Sequence, residues 1–229
     1  RSPSRGLGDV YKRQGVGKST ISQNLAVWFA HQKKKVCILD TDMEQRTSMR
    51  WAGQRAGDLP DVAVFGVETD QIIKASSKQA EDYDVVIIDG TPQLGKTALA
   101  TIMASDLVLV PLTPSAFDVW SFENFLGRYR EVKDMKEAKG VPFQAYIVLN
   151  KYTGKTNLDK NVLDVIQDFG MDILKTTVGD RVAYRESPIT GLGVIETKEK
   201  KAKAEIEQLG EEIAHIIKPV SYTHLTLPT

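Results

Sequence analysis

The sequence predicts an α/β domain whose mostly parallel sheet is flanked by helices on both faces. Three observations predict it. Short apolar runs at Val36-Cys37-Ile38-Leu39, Val85-Val86-Ile87-Ile88, Leu107 to Leu112 and Phe143 to Leu149 read as strands buried on both sides rather than strands with one wet face. Segments of helical periodicity separate them, and strand-helix alternation is the pattern of parallel strands joined by crossovers. Gly15-Val16-Gly17-Lys18-Ser19-Thr20 opens the first helix, as the closing half of a phosphate-binding loop would.

The chain of 229 residues suits one such domain with a sizeable core and no second one. Its 30 basic residues balance 30 acidic ones, so bulk charge does not point to nucleic acid, and any such contact must come from a local patch. The single cysteine, Cys37, lies in an apolar run and reads as a buried strand residue, which excludes a disulfide framework. His31, His215 and His224 are scattered, which argues against a histidine metal cluster, and no apolar run is long enough to cross a bilayer. A reducing cytoplasm is the default compartment.

The two ends read differently from the rest. Written as GAT GTG TAT AAG AGA CAG, Asp9 to Gln14 has a reverse complement that encodes Val220-Ser221-Tyr222-Thr223-His224 in a shifted frame. One oligonucleotide read from both strands would explain both termini, and it resembles a transposase end used in library construction. Residues 1–14 and 220–229 are therefore expected to be non-native, with the domain at 15–219. The strand that should feed the phosphate loop is then lost, since Gly8 to Arg13 is polar and without alternation.

In order, the loop leads into a helix from Lys18 to about Gln32, with Ile21, Leu25, Val27, Trp28 and Phe29 at helical spacing. The Val36 strand ends in Asp40-Thr41-Asp42, acidic residues at the carboxyl end where ligands bind in such sheets. A polar helix at Gln45 to about Gln54, a strand within Leu59 to Gly66 and a helix at Asp70 to Ala80 follow. The Val85 strand ends in Asp89, and the apolar run closed by an acid reads as a Walker B strand beside the phosphate loop. After the Leu107 strand, Asp118 to Lys139 forms a long helix whose Trp120, Phe122, Phe125, Leu126 and Tyr129 read as packing residues. Leu158 to Phe169 is a helix, Ile173 to Thr177 a short strand, Arg181 to Glu186 a helical turn, Ser187 to Gly193 a loop and Thr197 to Ile217 a charged closing helix.

These residue types suit phosphoryl transfer to water. That reaction needs a positioned polyphosphate, Mg²⁺ to neutralise charge and an oriented water, which Lys18, Ser19 with Asp89, and Asp42 can supply. No acyl-transfer triad is visible.

The ordered set Gly15 to Thr20, Asp40-Thr41-Asp42, Asp89-Gly90-Thr91-Pro92, Val110-Pro111-Leu112-Thr113-Pro114-Ser115 and Val148-Leu149-Asn150-Lys151 resembles the ParA/MinD family of deviant Walker A P-loop ATPases. Asp118-Val119-Trp120 and Gly179-Asp180-Arg181-Val182-Ala183-Tyr184 bring it nearest to the short plasmid-partition ParA proteins. The resemblance implies a P-loop NTPase fold with ATP and Mg²⁺ as ligands. Gly15, Val16, Gly17, Lys18, Ser19 and Thr20 would hold the phosphates, Asn150 would meet adenine, and Ser19, Asp40 and Asp89 would serve the metal. Lys18, Asp42 and Asp89 would be the catalytic set, with Asp42 positioning the attacking water.

The resemblance also implies an ATP-dependent homodimer, non-specific binding to nucleoid DNA, a centromere-binding ParB-like adaptor and a cytoplasmic, nucleoid-associated location without stable membrane insertion. The family's signature lysine falls on Arg13, which keeps the charge but not the compact ammonium, and Met43 and Glu44 depart from the usual switch I pattern. A MinD-like membrane positioner is the alternative, carried by Ile206, Leu209, Ile213, Ile216 and Ile217 of the closing helix. An iron-protein type of reductase would need a cysteine pair, and the chain has one cysteine. Lysines 198, 200, 201 and 203 are interleaved with glutamates, so they read first as a solvated face and only second as a DNA contact.

Overall fold

The computed structural model describes residues 15–91, 95–155, 163, 165–166, 169–217 and 223–227, with side chains for these except 116–121, 124 and 223–227. Helix α1 (Lys18–His31) leads to β1 (Val36–Asp40), α2 (Thr47–Ala52), β2 (Ala63–Gly66), α3 (Ile72–Gln79) and β3 (Val85–Asp89). Then follow α4 (Lys96–Ala104), β4 (Leu107–Leu112), α5 (Ala116–Ala138), β5 (Gln144–Leu149), β6 (Asp172–Ile173), α6 (Val182–Thr190), α7 (Lys200–Ile217) and β7 (Thr223–Leu227). The strands form one sheet in the order β2-β1-β3-β7-β4-β5-β6, and every pair is parallel.

Burial explains the unbroken apolar runs. β1, β3 and β4 are buried at every position, because alternate side chains enter different layers. Val36, Ile38, Val85 and Ile87 meet Ile21, Leu25, Trp28, Ile206 and Leu209 on one face. Cys37, Leu39, Val86 and Ile88 meet Ile72 on the other, where Phe122 and Phe125 pack against Val108, Val110 and Ile147 further along the sheet. Burial pushes the Cys37 thiol up to about 12, as suits an inert core residue. Phe122 and Phe125 are stacked with ring centroids 5.7 Å apart and are fully buried, so they are core and not a base platform.

Three features differ from the sequence expectation. Thr223–Leu227, inside the 220–229 stretch expected to lie outside the domain, is the central strand, paired along its whole length with β3 and at Leu225 and Thr226 with β4. The slot between β3 and β4 exposes two rows of backbone N–H and C=O groups, which a short extended segment satisfies by pairing on both edges.

Helix α6 runs on to Thr190 through Pro188, where a loop was expected. Pro188 sits in the last turn, and the Tyr184 carbonyl it leaves without an N–H lies 3.4 Å from the Ser187 hydroxyl. Gly191, at φ 70°, ends the helix in the left-handed conformation. The strand expected at Ile173 to Thr177 is reduced to two residues plus an isolated bridge between Asn150 and Val178. The helix expected at Leu158 to Phe169 and the polar stretch Gly8 to Arg13 lie largely or wholly outside the described residues.

Helix α7 packs on α1 at unusually close range: a Cβ at Gly210 would stand 2.2 Å from Cδ2 of Trp28. Helix propensity alone would make Gly210→Ala stabilising by about 1 kcal/mol. Packing reverses the sign, because Trp28 is itself buried and overpacking costs about 1–3 kcal/mol. Urea denaturation of Gly210→Ala is therefore expected to show a lower midpoint, and a raised midpoint would refute the close packing.

Candidate functional site

Gly15 and Gly17 take φ of 90° and 93°, a left-handed region that side chains avoid. At Gly17 space forbids one as well, since a Cβ would fall 2.1 Å from Nδ2 of Asn150. Gly17 caps α1 with no side-chain hydrogen bond, so backbone N–H groups and the positive end of the helix dipole are presented at the loop.

The loop is held from behind by the end of β5. Asn150 donates from Nδ2 to the Val16 carbonyl at 2.6 Å and accepts the Lys151 N–H at 2.9 Å, while Lys151 Nζ donates to the Gly15 carbonyl at 2.8 Å. Both polar atoms of Asn150 are thus engaged with protein, and it acts as a clamp on the loop.

Two strands bring the acids together. The parallel register of β1 and β3 pairs Asp40 with Asp89, both at the carboxyl edge and both buried. Asp40 accepts N–H groups from Asp42 (3.2 Å), Ser48 (3.0 Å) and Met49 (3.1 Å). Asp89 accepts the Ser48 hydroxyl at 2.7 Å and that of Ser22 at 3.4 Å. Burial, and then the charge of Asp40, push the Asp89 carboxyl up to about 7, against the hydrogen bonds of Ser48 and Ser19 and the charge of Lys18. Burial likewise raises Asp40, opposed by the three backbone N–H groups.

Lys18, Ser19, Asp40 and Asp89 therefore share one spot. Lys18 is buried there at the first position of α1.

This constellation fits Mg²⁺ with a polyphosphate. Two buried carboxylates in register repel each other, and a divalent cation between them and a phosphate would remove that repulsion. Mg²⁺ is ordinarily held by one or two carboxylates together with phosphate oxygens. Among the described residues there is no group of three or more His, Cys, Asp or Glu that could hold a metal ion.

Asp42 stands apart in its side chain. Its carboxylate accepts the Gln45 N–H at 3.0 Å, so it faces its own turn. Thr20 and Asn150 line a recess of about 270 Å³ beside the loop, walled by Gly179, Arg181 and Tyr184. Glu205 of α7 fixes that wall, accepting from Arg181 Nε and Tyr184 Oη, each at 2.9 Å. Arg13 and Gln14 lie outside the described residues.

Sequence reasoning missed Ser22, Gln23 and Ser48. Ser22 and Gln23 follow Ser19 by three and four positions, so they share its helix face, and that spacing could have revealed them. Ser48 carries no local signal: it reaches Asp89 only because α2 folds back over the strand ends.

A family model for the CobQ/CobB/MinD/ParA nucleotide-binding domain matches residues 11–195. Protein ParA of Rhizobium radiobacter is 30% identical over 179 residues, covering 74% of this chain and 76% of that protein. The maintenance of carboxysome distribution protein A of Halothiobacillus neapolitanus is 25% identical over 204 residues, covering 87% of this chain and 91% of that protein. The septum site-determining protein MinD of Pyrococcus horikoshii, solved in complex with Mg-ADP, superposes with a TM-score of 0.67 at 18% identity, over 90% of this chain and 93% of that one. The matched span includes the phosphate loop, both strands that carry the acids and the wall of the recess, and the chain accordingly belongs to the ParA/MinD family of P-loop ATPases.

Proposed function

We propose that the protein is a ParA-type partition ATPase. It binds ATP–Mg²⁺, dimerises on it, holds nucleoid DNA without sequence preference, and lets go when a centromere-bound ParB-like adaptor stimulates hydrolysis. The observation that carries the reading is the register pair Asp40–Asp89 beside Lys18 at the mouth of a glycine loop.

Lys18 and the loop N–H groups would hold the phosphates, Ser19 and Asp89 the metal, Asp40 its water shell, and the recess at Thr20 and Asn150 the base. Bound Mg²⁺ supplies charge neutralisation at the phosphate oxygens. Asp42 orients the water once its segment turns toward the phosphates. The relatives' names range from plasmid partition to carboxysome distribution, so the proposal specifies the ATP-driven carrier rather than one cargo.

Helix α7 favours this reading over a membrane positioner. Ile206, Leu209 and Ile213 are fully buried against α1 and the sheet, and Ile216 and Ile217 pack on the same core. Its apolar face is already covered, whereas membrane binding needs that face free. No helix among the described residues is long and apolar enough to cross a membrane. On α5, Lys136 is withdrawn from any DNA contact: it is buried, donates to the Ser105 carbonyl and lies 4.6 Å from the Phe143 ring centroid. Lys133 and Lys203 pair with Glu137 and Glu207, each at 3.8 Å. Lys139, Lys198, Lys200 and Lys201 are exposed and remain candidates for phosphate contact.

Fluorescent ATP titration is expected to show uptake by the wild type and about 10- to 100-fold weaker binding by Lys18→Ala, as loss of a charge-assisted phosphate contact implies. Equal affinity in the two would overturn the nucleotide site. ATP-dependent retention on DNA that weakens with salt, without flotation on anionic vesicles, is the expected pattern, and flotation would reinstate the membrane reading.

A pH effect follows from Asp89. Its folded value, about 7, lies above that of an ordinary carboxyl, so between about pH 4 and 7 the folded state binds a proton that the unfolded state has lost. Stability of the nucleotide-free protein therefore falls as pH rises through that window. Thermal melts from pH 5 to 8 are expected to show this decline in the wild type and a flatter profile in Asp89→Asn. A decline of equal slope in both would assign it to other groups.

A further inference from the structure

We propose that Ser48 is a positioning residue: its hydroxyl ties the metal-facing carboxylate of Asp89 to α2, so the segment carrying Asp42 moves according to what Asp89 holds. The proposal rests on the nucleotide–Mg²⁺ reading above. Ser48 is fully buried and is bonded to three elements at once. Its N–H donates to Asp40 of β1 at 3.0 Å, its hydroxyl donates to Asp89 of β3 at 2.7 Å, and the same oxygen accepts Nε2 of Gln23 from α1 at 3.2 Å. A buried helical serine commonly satisfies itself on a carbonyl of its own helix, as Ser76 does with Ile73 at 2.9 Å. Ser48 instead reaches across the site.

Gln23 supplies the second observation. It is fully buried, and its Oε1 has no hydrogen-bond partner, a rare condition for a buried carbonyl. Turning the amide by half a turn exchanges Nε2 for Oε1 beside Ser48 and offers the hydroxyl an acceptor other than Asp89. The hydroxyl thus has two stations. It donates to Asp89 when that carboxylate faces only protein, and to Gln23 when the carboxylate turns to a hydrated cation. Because the Ser48 backbone belongs to the first turn of α2, the exchange loosens or tightens α2 against β3, and residues 42–46 lead directly into that turn.

The test is hydrogen exchange across residues 42–52 of the full chain with ATP, in Mg²⁺ and in EDTA, beside fluorescent ATP titrations at increasing Mg²⁺. The wild type should take up ATP and change its exchange across 42–52 when Mg²⁺ is added. Ser48→Ala should still take up ATP but need about tenfold more Mg²⁺, with no Mg²⁺-dependent change across 42–52, and Ser48→Thr should restore both.

Gln23→Met, which keeps Ser48 and removes only its amide partner, should weaken the response in the same direction and serves as the test if Ser48→Ala does not fold. Ser48→Ala or Gln23→Met with a wild-type Mg²⁺ response would overturn the role of Ser48 while leaving the nucleotide site standing. A wild type that takes up no ATP would overturn the site reading itself, and this proposal with it.

Discussion

Two carboxylates, Asp40 and Asp89, are forced side by side by the parallel pairing of β1 and β3, and much of the site is arranged around that fact. Removing either acid from water disfavours its charged form, and proximity penalises the second charge further. The protein meets part of this with donors: three backbone N–H groups on Asp40, the hydroxyls of Ser22, Ser48 and Ser19 on Asp89 and the ammonium of Lys18 nearby. The donors leave the pair short of compensation, since burial still holds Asp89 near neutrality. Such a pair is suited to a divalent cation, and in the proposed reading affinity for Mg²⁺–nucleotide would be tied to the stability of the fold.

The sheet supplies the rigidity that this pairing requires. Within the sheet, among the described residues, β7 lies between β3 and β4, so the strands that bear the acids and the strands that bear the loop clamp of Asn150 and Lys151 are hydrogen-bonded through it. On one side β1 and β3 set the carboxylates; on the other β5 sets the residues that fix Val16 and Gly15. The phosphate loop lies above the seam, which is where open α/β sheets change winding direction and bind ligands. Whatever occupies the central slot must present an extended five-residue edge to β3 in register from Val85 to Asp89.

The layers and the loop were legible in the sequence because they rest on local rules. Apolar runs that fail to alternate must be buried on both faces, and Gly-x-Gly-Lys-Ser-Thr encodes its own turn and helix start. The long-range parts were less so. The continuation of α6 past Pro188 depends on the Ser187 hydroxyl standing 3.4 Å from the Tyr184 carbonyl that proline leaves without an N–H, and composition alone reads Ser187-Pro188 as a break. The central placement of Thr223–Leu227 depends on an open slot elsewhere in the fold, a property of β3 and β4 rather than of the segment. Ser48 and Gln23 are neutral in any sequence pattern, and their meeting at Asp89 exists only once α1, α2 and β3 are assembled.

The same geometry accounts for restraint in the proposed catalysis. Asp42 has its backbone N–H on Asp40 and its carboxylate on Gln45, so the acid proposed to orient water is held within its own turn. Bringing it to a phosphate requires the 42–46 segment to shift, and that segment is anchored at its far end by Ser48 and Met49 on Asp40. Further along, Arg55 binds Glu196 through both terminal nitrogens at 2.7 and 2.9 Å, tying the chain beyond α2 to the turn before α7. In the proposed mechanism a water-orienting group strung between two fixed points would make basal hydrolysis slow and would leave a short segment for a second subunit or an adaptor to act on. In the proposed reaction the segment between Asp42 and Ser48 would set turnover, because Asp42 must leave its contacts with Asp40 and Gln45 before it can reach a phosphate.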